Sequence, residues 1–392
     1  MSYNVIIRGA TGVRRTSADH FWRMRSTGVT GLLITKDEVV RFVAECMERV
    51  GADGNHSKIV AHHLMTADYR GHFSHGMNRM PMYVKDIESK RTDPHGQPKI
   101  VNDFQATALV EGQNGLGQVI GKFSMELAIK KAKTFGIGMV SARGSNHYGI
   151  CGYYSLMAAE EGLIGFTCTN TSPLLVPTRS TEASLGTNPL SLAMRSHDGK
   201  DEFALDMATT AVALGKIEVA VTKGQDIPEG WALGDDGKLT KNPVEAYQTA
   251  KLMPLGGTEE NSGYKGYGLA TMVEVLCGVL SGGQFGKNIR RWKEDDRIAN
   301  LGHCFMAIDP KVFAPGAGER LGQLLGELRG LSTAGDEGVM VAGDPERKAM
   351  ARVDQEGGIR YHENQIKICD QVAENLQIKP LQAKTNSRKK FN

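Results

Sequence analysis

The stretch Glu111–Gly121 reads EGQNGLGQVIG, and how it is read decides the fold. Gly115, Gly117 and Gly121 resemble the glycine fingerprint of a dinucleotide-binding turn. A Rossmann turn needs its first glycine where strand one ends, so that the pyrophosphate meets the N-terminus of the next helix. Here the apolar strand Ala106 to Val110 (ATALV) ends four residues, EGQN, before Gly115. The next strand, Ile137 to Ser141 (IGMVS), leads to Arg143 and not to the acid that grips a ribose. An arginine there suits a 2′-phosphate, so the Rossmann reading stays open on the residues alone. Against it stands a glycine-rich turn feeding a helix close to a site, because a lone glycine pattern has a high false-positive rate.

Outward from this turn the periodicity is clear. Gln118 to Phe135 predicts a helix with Val119, Ile120, Phe123 and Leu127 on its apolar stripe. On the N-terminal side, Thr35 with Glu38 forms a capping-box pattern that opens a helix. A second helix is expected from Ser57 to Tyr69, and a third with Pro81 in its first turn, ending near Lys90. On the C-terminal side a helix at Gly152 to Glu161 precedes a strand at Ile164 to Thr169. Further strands are expected at Leu190 to Met194, Phe203 to Leu205 and Cys304 to Ile308. Helices are expected at Gly266 to Leu280 and Arg320 to Leu331, the latter packing back on the N-terminal unit. This is an α/β chain with α+β character, built on a mixed sheet.

Composition sets limits on function. The 392 residues suffice for two domains, and 40% hydrophobic with 23% charged content is ordinary for a globular protein. A net charge of +3 points to no nucleic-acid partner. The longest apolar run, Leu269 to Leu280, contains Glu274 and is too short to span a bilayer, so no membrane partner is expected. The six cysteines are scattered without CxxC spacing, which suits a reduced intracellular compartment. Residues 1–31 carry Arg8, Arg14, Arg15, Arg23 and Arg25 against Asp19. They read as an irregular extension, with a mitochondrial transit peptide as the other reading. Residues 381–392 read as a solvated basic tail.

Chemistry-bearing residues cluster in two motifs. Asp68–Arg79 (DYRGHFSHGMNR), followed by Tyr83, spaces His75, Arg79 and Tyr83 four residues apart. Imidazole titrates near neutrality and can take a proton from a hydroxyl. A guanidinium grips a carboxylate through two parallel hydrogen bonds, and a tyrosine hydroxyl adds a third contact. Together they suit a 2-hydroxy or 2-keto acid. The blander reading of His75 is a capping histidine; His62 and His63 read as surface or packing residues. The second motif, Arg143–Gly149 (RGSNHYG), places His147 in a loop at a strand end, a favoured place for reactive groups. No carboxylate or cysteine spacing converges with these histidines, so no metal is expected. The loops GTNP (186–189), DMATT (206–210) and GYKGYG (263–268) put small and polar residues at element boundaries. Lys265 beside Gly266, at a helix start, could meet a phosphate.

Taken in order, SHGMNRMPMYV, NGLGQVIG, GSNHYGICGYY, NTSPLLVPT, LGTNPLSLA, LDMATT, GKIEVA, DIPEGWALGDDG, PLGG with KGYGLA, and VAGDPE resemble the malate/L-lactate dehydrogenase family, also called L-sulfolactate dehydrogenase-like. Its members include ureidoglycolate dehydrogenase, diketogulonate reductase and cyclic imino-acid reductases. The resemblance runs from about Lys36 to Asn375. It implies a fold that is not Rossmann: a large mixed, mostly antiparallel sheet wrapped by helices, with a separate helical part. It also implies a homodimer with its active site near the interface. Expected units are the extension 1–31, a helical part 32–105 joined by C-terminal helices 316–380, the mixed-sheet cofactor- and substrate-binding domain 106–315, and the tail 381–392.

The resemblance further implies roles. His75 or His147 is the catalytic acid/base, and Arg79 and Tyr83 contact substrate. Thr171, Asp206, Met207, Ala208, Lys265, Gly266, Gly343, Asp344 and Pro345 contact cofactor. The implied activity is NAD(P)-dependent hydride transfer to or from a small 2-hydroxy/2-keto acid of the malate/oxaloacetate type. NAD is the expected cofactor with NADP left open, and the cytoplasm the expected compartment. A cyclic imino-acid reductase and a non-catalytic binding protein are the alternatives. Three features depart from the family pattern. Residues 1–31 have no counterpart, VAGDPE lacks the usual proline before glycine, and Ser172 replaces an acid found in some members.

Overall fold

A computed structural model describes residues 31–291 and 297–384. The readings made on residues 1–30 and 385–392 lie outside it. In chain order the strands are β1 (Gly31–Ile34), β2 (Lys99–Phe104), β3 (Thr107–Glu111), β4 (Ile137–Ser145), β5 (Ile164–Thr169), β6 (Leu190–Arg195), β7 (Glu202–Met207), β8 (Ala232–Leu233), β9 (Leu239–Thr240), β10 (Lys251–Leu252), β11 (Leu301–Ile308) and β12 (Ile359–His362). Seven of them form the main sheet in the order β2-β3-β4-β11-β5-β6-β7. Only β3 and β4 pair in parallel; the other neighbours are antiparallel. The sheet is therefore mixed and mostly antiparallel, and the fold is not Rossmann.

The stretch EGQNGLGQVIG lies inside the sheet's one parallel crossover, β3–helix–β4, with the helix at Gly117–Phe135. Its glycines are there for close packing. A Cβ on Gly117 would lie 2.3 Å from the Asn146 carbonyl oxygen and 2.4 Å from that of His147. One on Gly121 would lie 2.6 Å from the Tyr154 ring. Real Cβ atoms do not approach so closely, so Gly117 lets the helix abut the loop that carries His147, and Gly121 lets it abut the helix Cys151–Glu160.

Most expected elements form. Thr35 caps the helix Lys36–Arg49 by accepting the Glu38 N–H. Glu38 does not complete the box, because its carboxylate takes Arg41 and the Gln382 N–H instead. Helices follow at Gly54–Tyr69 and at Met80–Glu88, with Pro81 in the first turn of the latter. One apolar core joins these three helices to the helices Asp344–Glu356 and Glu363–Leu376 through residues such as Phe42, Leu64, Met80, Val353 and Ile366. The helix Ala317–Arg329 does not join them. It packs on the edge strand β7 and its neighbour β6, where Arg329 pairs with Asp201 and Asp344. Between β7 and β11 a small lobe stands apart, with strands in the order β10-β8-β9 and helices Leu214–Lys223 and Pro243–Thr249 around their own apolar cluster. Among the described residues no helix is long and apolar enough to cross a membrane.

Asp68 couples the two ends of the chain. Its Oδ2 accepts the Met77 N–H at 2.9 Å and the Tyr361 hydroxyl at 2.7 Å. Tyr361 lies on β12, which pairs with β1. Burial pushes the Asp68 carboxyl up to about 7 from 3.8, against the opposing pull of those two hydrogen bonds.

Two predictions follow from this packing. Gly121→Ala should lower stability by about 1–3 kcal/mol, the usual cost of overpacking, read as a lowered urea midpoint. A midpoint equal to that of the unsubstituted chain would contradict the close approach. For Asp68 the raised pKa means that the folded state holds a proton the unfolded state has released. Its contribution is complete below about pH 4 and is lost as pH rises through about 7. Between pH 5 and pH 8 the chain should lose roughly 2–3 kcal/mol more stability than Asp68→Asn does. Equal pH slopes for the two proteins would remove Asp68 as the cause.

Candidate active site

His75, Arg79 and His147 meet at one cleft although they come from distant stretches. His75 closes the short turn Phe73–His75, and Arg79 sits immediately before the helix Met80–Glu88. His147 follows β4, in the loop against which Gly117 packs. The His75 and His147 rings stack with centroids 5.6 Å apart at 24°. Tyr83 reaches His147 from below, its hydroxyl 2.7 Å from Nδ1. His75 Nδ1 is 2.8 Å from the Ser74 hydroxyl. Arg79 Nε donates to the Ser74 carbonyl at 2.6 Å, which fixes the guanidinium beside the histidine pair.

Burial and neighbouring charge keep the two imidazoles uncharged. Burial first, then the neighbouring Arg79 and His72, holds His75 down at about 3. Burial also holds His147 well below its ordinary value, with His75 and Arg79 adding to the effect. Both rings are neutral bases at neutral pH. Tyr83 is pushed up by burial and stays protonated.

The cleft has a cavity volume of about 1170 Å³. Its lining includes the cations Arg79, Lys216, Lys251, Lys287, Arg290 and Arg291 against the acids Glu182, Asp206 and Glu218. That balance favours anionic ligands. Among the residues expected to contact cofactor, Thr171, Asp206, Met207 and Ala208 line the cleft. Asp206 accepts the Gly152 N–H at 2.7 Å. Lys265 and Gly266 do not line it. Lys265 is exposed on the helix Gly263–Glu274, and Gly266 backs onto the main chain of Leu255, which does line the cleft. Gly343, Asp344 and Pro345 also lie off the cleft. Gly343 packs on Ala204 of β7, and Asp344 accepts from Arg329, Arg347 and the Val341 N–H. Ser172 lines the cleft and donates to the Arg290 carbonyl at 2.6 Å.

Several supporting residues escaped the sequence reading. His303 on β11 bridges Thr169 Oγ1 and Ser145 Oγ, each at 2.7 Å, and so ties the ends of β5 and β4 beneath both loops. Glu274 is buried and takes Asn188 Nδ2 at 2.6 Å, Asn170 Nδ2 at 3.3 Å and the Gly286 N–H at 2.8 Å. Asn188 in turn accepts the Thr171 N–H. His63 is a packing residue, held at about 3 by burial, and accepts the Ile150 N–H just beyond His147. His62 is exposed, with Nδ1 3.0 Å from the Tyr153 hydroxyl. Among the described residues no three His, Cys, Asp or Glu side chains converge as metal ligands.

Comparison with known proteins accords with this geometry. A family model described as malate/L-lactate dehydrogenase matches residues 34–368. The malate dehydrogenase of Pyrococcus horikoshii is 45% identical over 299 residues, covering 76% of this chain and 82% of that one. The L-sulfolactate dehydrogenase of Methanocaldococcus jannaschii is 36% identical over 351 residues, covering 88% of this chain and 99% of that one. The solved structure of malate dehydrogenase from Pyrococcus horikoshii OT3 superposes with a TM-score of 0.82 at 37% identity, covering 91% of this chain and 99% of that one. The chain belongs to the malate/L-lactate dehydrogenase family, and with it to the 2-hydroxyacid dehydrogenases that act on a CH–OH group.

Proposed function

We propose that the chain oxidises and forms a small 2-hydroxy acid of the malate/oxaloacetate type, with NAD as its cofactor. The observation that carries this is the stacked, neutral His75–His147 pair beside Arg79 in a cation-rich cleft. The cleft has room for a dinucleotide and a small acid together. When bound, the nicotinamide supplies the hydride chemistry. Thr171, Asp206, Met207 and Ala208 would hold it, and the Asp206 carboxylate suits ribose hydroxyls better than a phosphate, which favours NAD over NADP. Lys265, Gly266, Gly343, Asp344 and Pro345 stay in the proposal as outer contacts.

Arg79 holds the substrate carboxylate and so sets which face of the α-carbon meets the nicotinamide. One neutral histidine takes the hydroxyl proton on oxidation and returns it on reduction. The other cations of the cleft suit a second acidic group, which favours a dicarboxylate over lactate. The cysteines among the described residues are unlinked and fit a reducing compartment, for which the cytoplasm is proposed.

The chain is further proposed to act as a homodimer. Tyr264, Met272, Val275 and Val279 form an exposed apolar stripe along the helix Gly263–Glu274 and the turn after it, a face a second copy would cover. Sedimentation of the purified chain tests this. The dimer is expected, and a monomer at micromolar concentration would refute it.

The activity is tested by following NADH and NADPH absorbance with oxaloacetate, pyruvate, sulfopyruvate, 2-oxoglutarate and a cyclic imino acid. Oxaloacetate with NADH should turn over best; a preference for the imino acid would establish the alternative reaction. Replacing the acting histidine by Asn should lower kcat by roughly 10²- to 10⁴-fold. Arg79→Lys should act mainly on KM, because the two-pronged grip is lost. Full turnover in both the His75→Asn and His147→Asn variants would end this mechanism.

A further inference from the structure

Behind the His147–Tyr83 pair lies a second, small cavity of about 10 Å³. Its lining includes Tyr83, His147, Asp86, Gln118, Asn146 and Arg290. That volume is about the minimum that holds one water molecule, which also needs two to four polar partners. The walls have those partners to offer. Gln118 is 1% exposed, Asn146 6% and Arg290 3%. Yet Gln118 Nε2, Asn146 Oδ1 and Arg290 Nε have no hydrogen-bond partner within the protein. The rest of each group is engaged. Asn146 Nδ2 donates to Asn114 and to the Gly115 carbonyl, and the Arg290 terminal nitrogens hold Asp86 at 2.8 and 3.2 Å. The Gln118 amide nitrogen lies near the Tyr83 hydroxyl but outside hydrogen-bond geometry. Two donors and one acceptor with unmet capacity thus surround one water-sized space. Leaving each unmet carries the desolvation penalty of a buried polar group without a partner.

We propose that this cavity is a water site, and that the water carries the substrate proton from the His147–Tyr83 pair to Asp86. The proposal rests on the dehydrogenase reading above and assigns the outgoing proton to His147. As the C–H bond gives its electron pair to the nicotinamide as hydride, the O–H bond breaks and its electron pair becomes the second C=O bond. The freed proton binds His147 Nε2, and the Nδ1 proton passes to the Tyr83 oxygen. Tyr83 releases its own proton to the water, and the water releases one to the Asp86 carboxylate. Asp86 still reaches solvent, with a side chain 13% exposed beside Arg290. One proton enters the chain and one leaves it. Reduction runs the same steps backwards. The link of this chain that the protein itself makes, Tyr83 to His147, is 2.7 Å long. Gln118, Asn146 and Arg290 are positioning residues here, since they hold the water and touch no substrate.

The test is single-turnover oxidation of the 2-hydroxy acid by the full chain and by Gln118→Leu, in mixtures of H₂O and D₂O. Leucine keeps the volume and removes the amide. A bowed dependence on deuterium fraction is expected for the unsubstituted chain, because several protons move together. Gln118→Leu should lower the oxidation rate by roughly 10- to 100-fold, below the full loss of a catalytic base. Its KM should be unchanged. A straight-line dependence in the unsubstituted chain, or an undiminished rate in the variant, overturns the relay. Should Gln118→Leu not fold, a high-resolution crystal structure of the unsubstituted chain decides. A water bound by Gln118, Asn146 and Arg290 supports the site, and a dry cavity refutes it. A chain that binds cofactor but oxidises no hydroxy acid refutes the activity reading. An active chain with a dry cavity refutes the relay alone.

Discussion

The contact on which the rest depends is the close approach of the Gly117–Phe135 helix to the Asn146–His147 carbonyls. It allows no side chain at residue 117. In a Rossmann turn the same place, the start of the crossover helix, is kept open for a pyrophosphate. Here protein backbone fills it. Once it is filled, the crossover helix serves as a buttress for the loop that bears His147. Another wall of the cleft is then built from elsewhere, at the ends of β5, β6 and β7. Their antiparallel pairing puts the Thr169 end of β5, the Leu190 end of β6 and the Met207 end of β7 side by side. Thr171, Pro189 and Ala208 are thereby gathered on one wall of the cleft.

The same logic explains what the sequence could reveal. The helix Gly117–Phe135 and the strand Ile164–Thr169 were legible because their own periodicity specifies them. The strands β1 and β12 were not. They pair across more than 300 residues, and nothing local in GLLI or IRYH marks either as a strand. β2 was missed for a different reason: all six of its residues are exposed, so no apolar alternation marks it. The helix Ala317–Arg329 was found, but its neighbour was not. Its partner Asp201 lies in a turn whose role appears only once β6 and β7 pair.

At the site, His75, Arg79 and His147 stood out in the sequence as chemistry-bearing residues of two motifs; the structure gathers them at one cleft, with Tyr83 behind His147. Glu274 shows what was overlooked. It interrupts the apolar run Leu269–Leu280, and that interruption served only to argue against a membrane span. A lone acid in an apolar helix is itself a signal, since a buried carboxylate must be hydrogen-bonded. Glu274 is 5% exposed and is met by two asparagines and a main-chain N–H, which anchor the loops around Asn170 and Asn188. His303 gave no such signal. Its value depends on strand register, which sets it between β4 and β5.

Burial has opposite uses at the two ends of this site. At His75 and His147 it removes charge, and Arg79 reinforces the effect, so both imidazoles can accept a proton at neutral pH. At Asp68 it favours the protonated acid, and only the Met77 N–H and the Tyr361 hydroxyl oppose it. Asp68 anchors the main chain at Met77, between His75 and Arg79, so the placing of those two side chains rests on a hydrogen bond from β12. The last strand of the described chain thus sets the angle of the first motif. The turn that carries His75 and Arg79 is therefore held by two distant parts of the chain together, and neither could fix it alone.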